Sequence, residues 1–344
     1  MAGSKPMTAP VTRDDVARLA GVSSATVSRV YNRPSAVLDK KREAVFRAAK
    51  QLGYTPDLNA SGLRRKGSGS VLLVLRPPSR DVYRWFYGEA LIHAQAALAG
   101  TCYKLLFNIW DGREPFARFL AHNKCDGVVM GLGTFDESVV KALESAGLPY
   151  MLCSQTELSS VSRLCYIDEN AGGAVAAKAL LKAGCRRPAH ITAMLEKNSV
   201  CAARWEGFRS VLRKAKCEPV LITAPELGVR GGREAVRRLV PLVKRGEVDG
   251  LFVVNDLTAV GVMQNLVKSG IAIPEELALV AYDNLPFRET VPVEMASVDV
   301  SIGKLYQTAV EMLAEELRGE RKPGEPIRKR IVPTFVRGAS LPEK

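Results

Sequence analysis

Val11 to Asn32 read VTRDDVARLAGVSSATVSRVYN, two short amphipathic helices joined by a tight turn. Thr12 is placed to cap the first helix, with Asp15 three residues on as its capping-box partner. Val11 and Val16 hold the two hydrophobic-staple positions around that cap. Gly21 ends the helix, Ser23 caps the next, and Val22 and Val27 repeat the staple. The spacing predicts inward stripes of Val16, Leu19 and Ala20 on the first helix, and of Val27, Val30 and Tyr31 on the second. On the second helix Ala25, Arg29 and Asn32 point away from that stripe, flanked by Ser24 and Ser28. A short helix whose free face carries small polar residues and one arginine suits the major groove of duplex DNA.

The flanking sequence supports that reading. Asp39–Gly53 forms a third helix with Ala44, Val45, Ala48, Ala49 and Leu52 on its inner side. Lys40, Lys41, Arg42 and Arg47 line its outer side, where they can reach phosphates. Pro56 stops the chain from continuing as that helix, and Gly67-Ser68-Gly69 is a flexible joint. The intervening Asp57–Arg65 is too short to be helical unless something holds it. Residues 1–66 carry 13 Lys and Arg against 5 Asp and Glu, a net +8. The rest of the chain carries 36 against 31, a net +5. A basic head on a near-neutral body is the electrostatic footprint of a nucleic-acid binder.

A chain of 344 residues, 47% hydrophobic and 25% charged, is ordinary for globular protein and long enough for two or three domains. Its first residues lack the unbroken apolar stretch of a signal peptide, and no apolar run approaches membrane-spanning length. A cytoplasmic protein without membrane contact is expected. Cys102, Cys125, Cys153, Cys165, Cys185, Cys201 and Cys217 are scattered, with no C-x-x-C pair, and read as reduced thiols. The three histidines, His93, His122 and His190, are far apart, so neither a metal site nor histidine-based catalysis is expected. The Gly131-x-Gly133 pair lacks the third glycine of a dinucleotide loop, and no Walker, G-x-S-x-G or H-E-x-x-H motif occurs. No enzyme activity and no cofactor is expected.

From Ser70 onward, short apolar runs alternate with helical ones. Strands are expected at Val71–Leu75, Tyr103–Ile109, Gly127–Met130, Tyr150–Cys153, Ala189–Ala193, Gly250–Val254 and Ala278–Ala281. Helices are expected at Gly88–Leu98, Glu137–Ala146, Ala171–Ala183, Arg204–Lys214, Arg233–Val243 and Leu257–Ser269. Repeated βα units over this length imply two parallel sheets with a cleft between them. The fold class is therefore α/β: an all-α head on a core of two parallel α/β subdomains.

At its head the chain resembles the lactose-repressor (LacI/GalR) family of bacterial transcription regulators. The family's DVA-x-x-AGVS-x-ATVSRV-x-N stands at Asp15–Asn32, and its V-x-x-A-x-x-x-LGY-x-P at Val45, Ala48, Leu52-Gly53-Tyr54 and Pro56. Ala60 and Leu63 keep the hinge pattern. In the body the matches are Asp126-Gly127, Asp168 with Gly172, Arg204 with Gly207-Phe208, Asn255-Asp256 with Ala259 and Gly261, and Tyr282-Asp283.

The resemblance implies a homodimer on near-palindromic operator DNA, with a periplasmic-binding-protein-like core. No heptad pattern follows Val336, so a dimer rather than a tetramer is expected. DNA contact falls to Thr12, Ser23, Ser24, Ala25, Thr26, Ser28, Arg29, Asn32 and Tyr54, and in the hinge to Asn59, Ala60 and Leu63, the last as a minor-groove wedge. Arg204, Asn255 and Asp283 become the polar contacts of a small-molecule effector, a sugar or derivative, with Tyr83 and Trp110 as further candidates on the facing side. Residues 8–55 would read DNA, 56–68 form the hinge and 69–344 the core. Its N-subdomain is expected at about 69–163 and 295–324, and its C-subdomain at about 164–294 and 325–340. The implied activity is allosteric repression. Ser79-Arg80-Asp81 replaces the family's N-P-F, which leaves open an atypical effector or none. A solute-binding protein shares the core architecture but has no use for a basic helical head.

Overall fold

The computed structural model of the chain describes residues 11–32, 37–54, 67–77, 82–131 and 137–342. The expected hinge residues Asn59, Ala60 and Leu63 lie outside them.

Among the described residues the head is three helices: α1 (Arg13–Ala20), α2 (Ser24–Asn32) and α3 (Asp39–Leu52). The capping box forms as the sequence requires. Thr12 Oγ1 accepts from Asp15 N at 3.3 Å and Thr12 N donates to Asp15 Oδ2 at 2.9 Å. Gly21, at φ 64°, closes α1 in the left-handed region. Ser23 Oγ accepts from Thr26 N at 3.1 Å and opens α2. Val16, Ala17, Val27, Val30, Val45, Ala48 and Ala49 form the buried centre. Leu19 departs from its expected inward position, with 46% of its surface exposed. Ala17 is buried in its place, because α3 packs on the Val16–Ala17–Ala20 side of α1, where small side chains allow close approach.

Among the described residues the body holds two six-stranded sheets. β1 (Ser70–Leu75), β2 (Lys104–Ile109), β3 (Gly127–Gly131), β4 (Tyr150–Ser154) and β5 (Arg163–Ile167) alternate with α4 (Val82–Ala97), α5 (Phe116–His122) and α6 (Glu137–Ser145). Next come α7 (Glu169–Lys182), β6 (Pro188–Thr192), α8 (Ser199–Lys214), β7 (Val220–Thr223), α9 (Val229–Lys244), β8 (Gly250–Val253), α10 (Asp256–Lys268) and β9 (Ala278–Asp283). The chain closes with β10 (Ala296–Asp299), α11 (Ile302–Leu317), β11 (Ile327–Ile331) and β12 (Thr334–Val336). The first sheet runs β11-β5-β4-β3-β1-β2, all parallel. The second runs β12-β10-β9-β8-β6-β7, parallel except for the β10–β12 pair. Central strands such as β1 (SVLLVL) are buried throughout, as strands covered by helices on both faces must be.

The expected subdomain boundaries need correction. β5, assigned after Arg163 to the C-subdomain, pairs in the first sheet, and so does β11. β10, assigned to the N-subdomain, pairs with β9 in the second. The chain thus crosses between units after Ile167, Asp299 and Ile331. The cause is tertiary. Arg163 donates from Nε to the Tyr150 carbonyl at 2.8 Å, from Nη1 to the Glu325 carbonyl at 2.7 Å, and from Nη2 to buried Glu316 of α11. This network binds β5, α11 and the approach to β11 into one body, and nothing in the local sequence of these strands announces it. Among the described residues no helix is long and apolar enough to cross a membrane.

Candidate functional site

Two regions gather the residues singled out in the sequence. On α2, Ala25 and Arg29 are exposed and Ser24, Thr26 and Ser28 half-exposed, on the side opposite buried Val27 and Val30. Ser24 donates to the Asp14 carboxylate across the turn, which ties the start of α2 to α1. Ser23 Oγ sits 2.9 Å from Thr26 Oγ1. Thr12 is engaged by Asp15. Tyr54 is half-buried, its ring 6.3 Å from Tyr31, which in turn meets Phe46 edge-on at 5.6 Å. Lys40, Lys41 and Arg47 are exposed on α3, while Arg42 pairs with Asp39 at 2.8 Å. The side chain of Asn32 lies outside the described atoms.

The second region is built around glycine-mediated helix contact. A Cβ on Gly173 would stand 1.9 Å from the Arg204 carbonyl oxygen, and one on Gly207 would stand 1.8 Å from that of Asn170. Backbone therefore touches backbone between α7 and α8, which only glycine allows. That approach sets Glu169, in the first turn of α7, against Arg204 of α8. Arg204 donates from Nε to Glu169 Oε2 at 2.8 Å and from Nη2 to Oε1 at 3.0 Å, a bidentate pair. Its Nη1 donates to the Val254 carbonyl at 2.7 Å, and its guanidinium lies 3.7 Å over the Tyr282 ring. Tyr282 fits its hydroxyl where a Gly172 side chain would be and donates to Glu169 Oε2 at 2.6 Å.

Asp283, at the C-terminal end of β9, is 3.5 Å from Arg204 Nη2. It is buried, adopts φ 108°, and its Oδ1 accepts no hydrogen bond among the described residues. A non-glycine residue in that region is strained by about 1–3 kcal/mol. Burial pushes its carboxyl well above the usual aspartate range, against the pull of Arg204. Asn255 caps α10 by accepting from Thr258 N at 2.9 Å. Asp256 beside it accepts from Leu285 N at 2.6 Å and from the Ser297 hydroxyl at 2.8 Å, and burial pushes it up to about 7. His190 stacks on Phe252 and Trp205, and burial lowers it to about 3, so it is neutral.

The structure brings Arg204, Asn255 and Asp283 together near the carboxyl ends of the second sheet, where open α/β sheets bind ligands. A cavity of about 560 Å³ runs outward from Asp283 between α4 and the crossing segment, past Trp85, Glu89, Asp299, Ser301 and Lys304. Trp85 of α4 reaches across to Phe287 at 5.6 Å. Trp110 is a correction. It packs in the first unit's core against Phe116, its indole N–H donates to the Glu114 carbonyl, and Arg76 covers one ring face. Its position after β2 placed it near the cleft, but its polar group is already spent. Tyr83 is in α4, its side chain outside the described atoms. Glu169 was not singled out in the sequence; an acid at the first turn of a helix reads as dipole compensation, and only the α7–α8 approach reveals its partner. Among the described residues no group of side chains could hold a metal ion.

Residues 12–57 match the family model for "Bacterial regulatory proteins, lacI family", and residues 177–341 match that for a "Periplasmic binding protein-like domain". The chain is 30% identical over 328 residues to the HTH-type transcriptional regulator CelR of Thermobifida fusca, covering 92% of this chain and 94% of that one. It is 28% identical to the sucrose operon repressor of Streptococcus mutans, covering 91% and 95%. A solved complex of the transcriptional regulator CelR with cellobiose superimposes with a TM-score of 0.67 at 27% identity, over 96% of this chain and 99% of that one.

Proposed function

The chain belongs to the lacI family of bacterial regulatory proteins and is a sequence-specific DNA-binding regulator of transcription, and from that premise we propose how its residues divide the work. The head, residues 8–55, reads an operator half-site, with Arg29 pairing to a guanine edge and Ala25 and Ser24 selecting among neighbouring base pairs. Ser23, Thr26, Ser28, Asn32 and Tyr54 fix the register on the backbone, and Thr12 holds the N-terminus of α1 against it. Residues 56–68 form the hinge, with Asn59, Ala60 and Leu63 in the central minor groove.

A homodimer supplies the second head. The exposed edge strand β2, with Leu106, Phe107 and Ile109, and Ile92 on α4 form the apolar surface assigned to that contact. The core, divided where the strands cross, binds a sugar or sugar derivative between its units through Arg204, Asn255 and Asp283. A neighbouring family structure holds cellobiose, and two relatives are named for sucrose and ribose operons. Effector binding changes the relation of the two units, and with it operator affinity, as a reciprocal coupling. The protein works as a repressor in the cytoplasm.

The observation that carries this reading is the capped α1–α2 pair presenting Ala25 and Arg29 outward on a basic head. Selection from random duplex DNA, followed by sequencing, tests it. The expected product is a near-palindrome of two half-sites, with log affinity falling linearly against log salt. Failure to enrich any sequence at low salt, with or without added sugars, would overturn it.

A further inference from the structure

We propose that α9 is a second DNA-binding surface, which holds a duplex segment other than the operator through its phosphates. Its basis is where the body keeps its charge. Residues 229–245 carry six Lys and Arg against a single acid, Glu234, a net +5. Residues 67–344 as a whole also net +5, so the body outside this helix sums to zero. All six cations, Arg230, Arg233, Arg237, Arg238, Lys244 and Arg245, are exposed. At about 100° per residue they fall within an arc of roughly 140° on one side of the helix, shared only with Glu234 and Pro241. The opposite side, with Val236, Leu239 and Val243, is buried in the second unit's core.

The surroundings answer only the two ends of the arc. Arg230 pairs with Glu226 and Glu234, each at 3.4 Å, and Arg245 with Glu247 at 2.6 Å. Arg233 donates to neutral Gln264 and keeps its charge uncompensated. Arg237, Arg238 and Lys244 have no hydrogen bond or ion pair among the described residues. From Arg233 to Lys244 is about 17 Å of helix, a length along which one DNA strand sets about five phosphates. Arginine forks grip phosphate oxygens in pairs. A bilayer would need an apolar side to insert, and that of α9 is spent in the core. A protein partner would need apolar side chains to bury, and the arc offers none beyond Pro241. The duplex is a second segment because the head is joined to the other unit: the chain enters the body at β1, where Ser68 N donates to Asp126, whereas α9 belongs to the unit of the second sheet. Four phosphate contacts bind weakly alone, but DNA continuous with a bound operator is held nearby at a raised effective concentration.

Sedimentation of the full chain with a saturating short fluorescent duplex of mixed sequence tests this. Wild type should take up at least one more duplex per pair of protomers than the triple variant Arg237→Gln/Arg238→Gln/Lys244→Gln, whose altered side chains lie in solvent and whose fold is checked by circular dichroism. Affinity for that further duplex should fall about 150-fold between about 50 and about 200 mM salt, from four phosphate contacts at a slope of about −0.9 each. Arg237→Lys/Arg238→Lys, which keeps the charge, should keep the further duplex, and so should Arg29→Ala in the head. Equal stoichiometry of wild type and the triple variant overturns the inference. So does a wild type that prefers vesicles of anionic phospholipid to duplex at equal phosphate concentration. The probe carries no operator, so the outcome stands whether or not selection recovers a half-site.

Discussion

Asp256 should make the folded protein lose stability as the pH rises, and Asp256→Asn should remove that loss. The carboxyl is fully buried at the start of α10 and pushed from 3.8 to about 7, chiefly by burial, against the pull of hydrogen bonds from Leu285 N and Ser297. A rise of that size corresponds to at most about 4 kcal/mol. The sign follows from proton counts. Between about pH 4 and 7 the folded chain keeps a proton that the unfolded chain has released, so stability falls with rising pH and levels off above 7. His190 opposes it. Held neutral by burial and lowered to about 3, it contributes stability that grows as pH rises to its unfolded value of 6.5. The two must be separated by difference.

Chemical denaturation of wild type and Asp256→Asn, followed by circular dichroism at several pH values, does this. The amide keeps an oxygen for Leu285 N, and the Ser297 hydroxyl can turn to accept from its nitrogen, so the substitution adds only a pH-independent offset. Relative to wild type the variant should gain up to about 3 kcal/mol between pH 5 and 8. A difference between the two proteins that does not change with pH would refute the reasoning.

Arg29→Ala should cost about 1–3 kcal/mol of operator binding in gel-shift titrations and relax preference at a single base pair, whereas loss of a phosphate contact would weaken all sequences alike. Gly173→Ala places a methyl 1.9 Å from the Arg204 carbonyl oxygen, so α7 and α8 must separate; about 1–3 kcal/mol of stability should be lost, with a drop in effector affinity read by calorimetry. Thr12→Ala removes the α1 cap and should lower head stability by about 1 kcal/mol in thermal melts. Phe107→Lys on β2 should shift sedimentation from dimer toward monomer and weaken operator binding in parallel.

Much of the head was legible because its signals are local. Thr12, Asp15, Gly21 and Ser23 act within one helical turn of themselves, and each does in the structure what its type and position require. Leu19 shows the limit. Its i+3 spacing from Val16 fits an inward stripe, yet which flank of α1 is covered depends on the direction from which α3 arrives. In the body, continuous apolar runs marked the central strands. β5, β7, β10 and β11 were passed over, being short or mixed in polarity, and stabilised chiefly by neighbours far away in the chain.

The sequence by itself determined the capped helix pair, the basic head, the alternation of strand and helix, and the residue types that a polar cleft needs, because each is written in neighbours a few positions apart. Tertiary structure alone decided which sheet the late strands join, that Trp110 is core, and that Glu169 pairs with Arg204. They depend on the Arg163–Glu316 pair, on the packing of Trp110 with Phe116 and Arg76, and on backbone contact at Gly173 and Gly207. Such contacts join residues that are distant along the chain, and no local pattern encodes the distance between them.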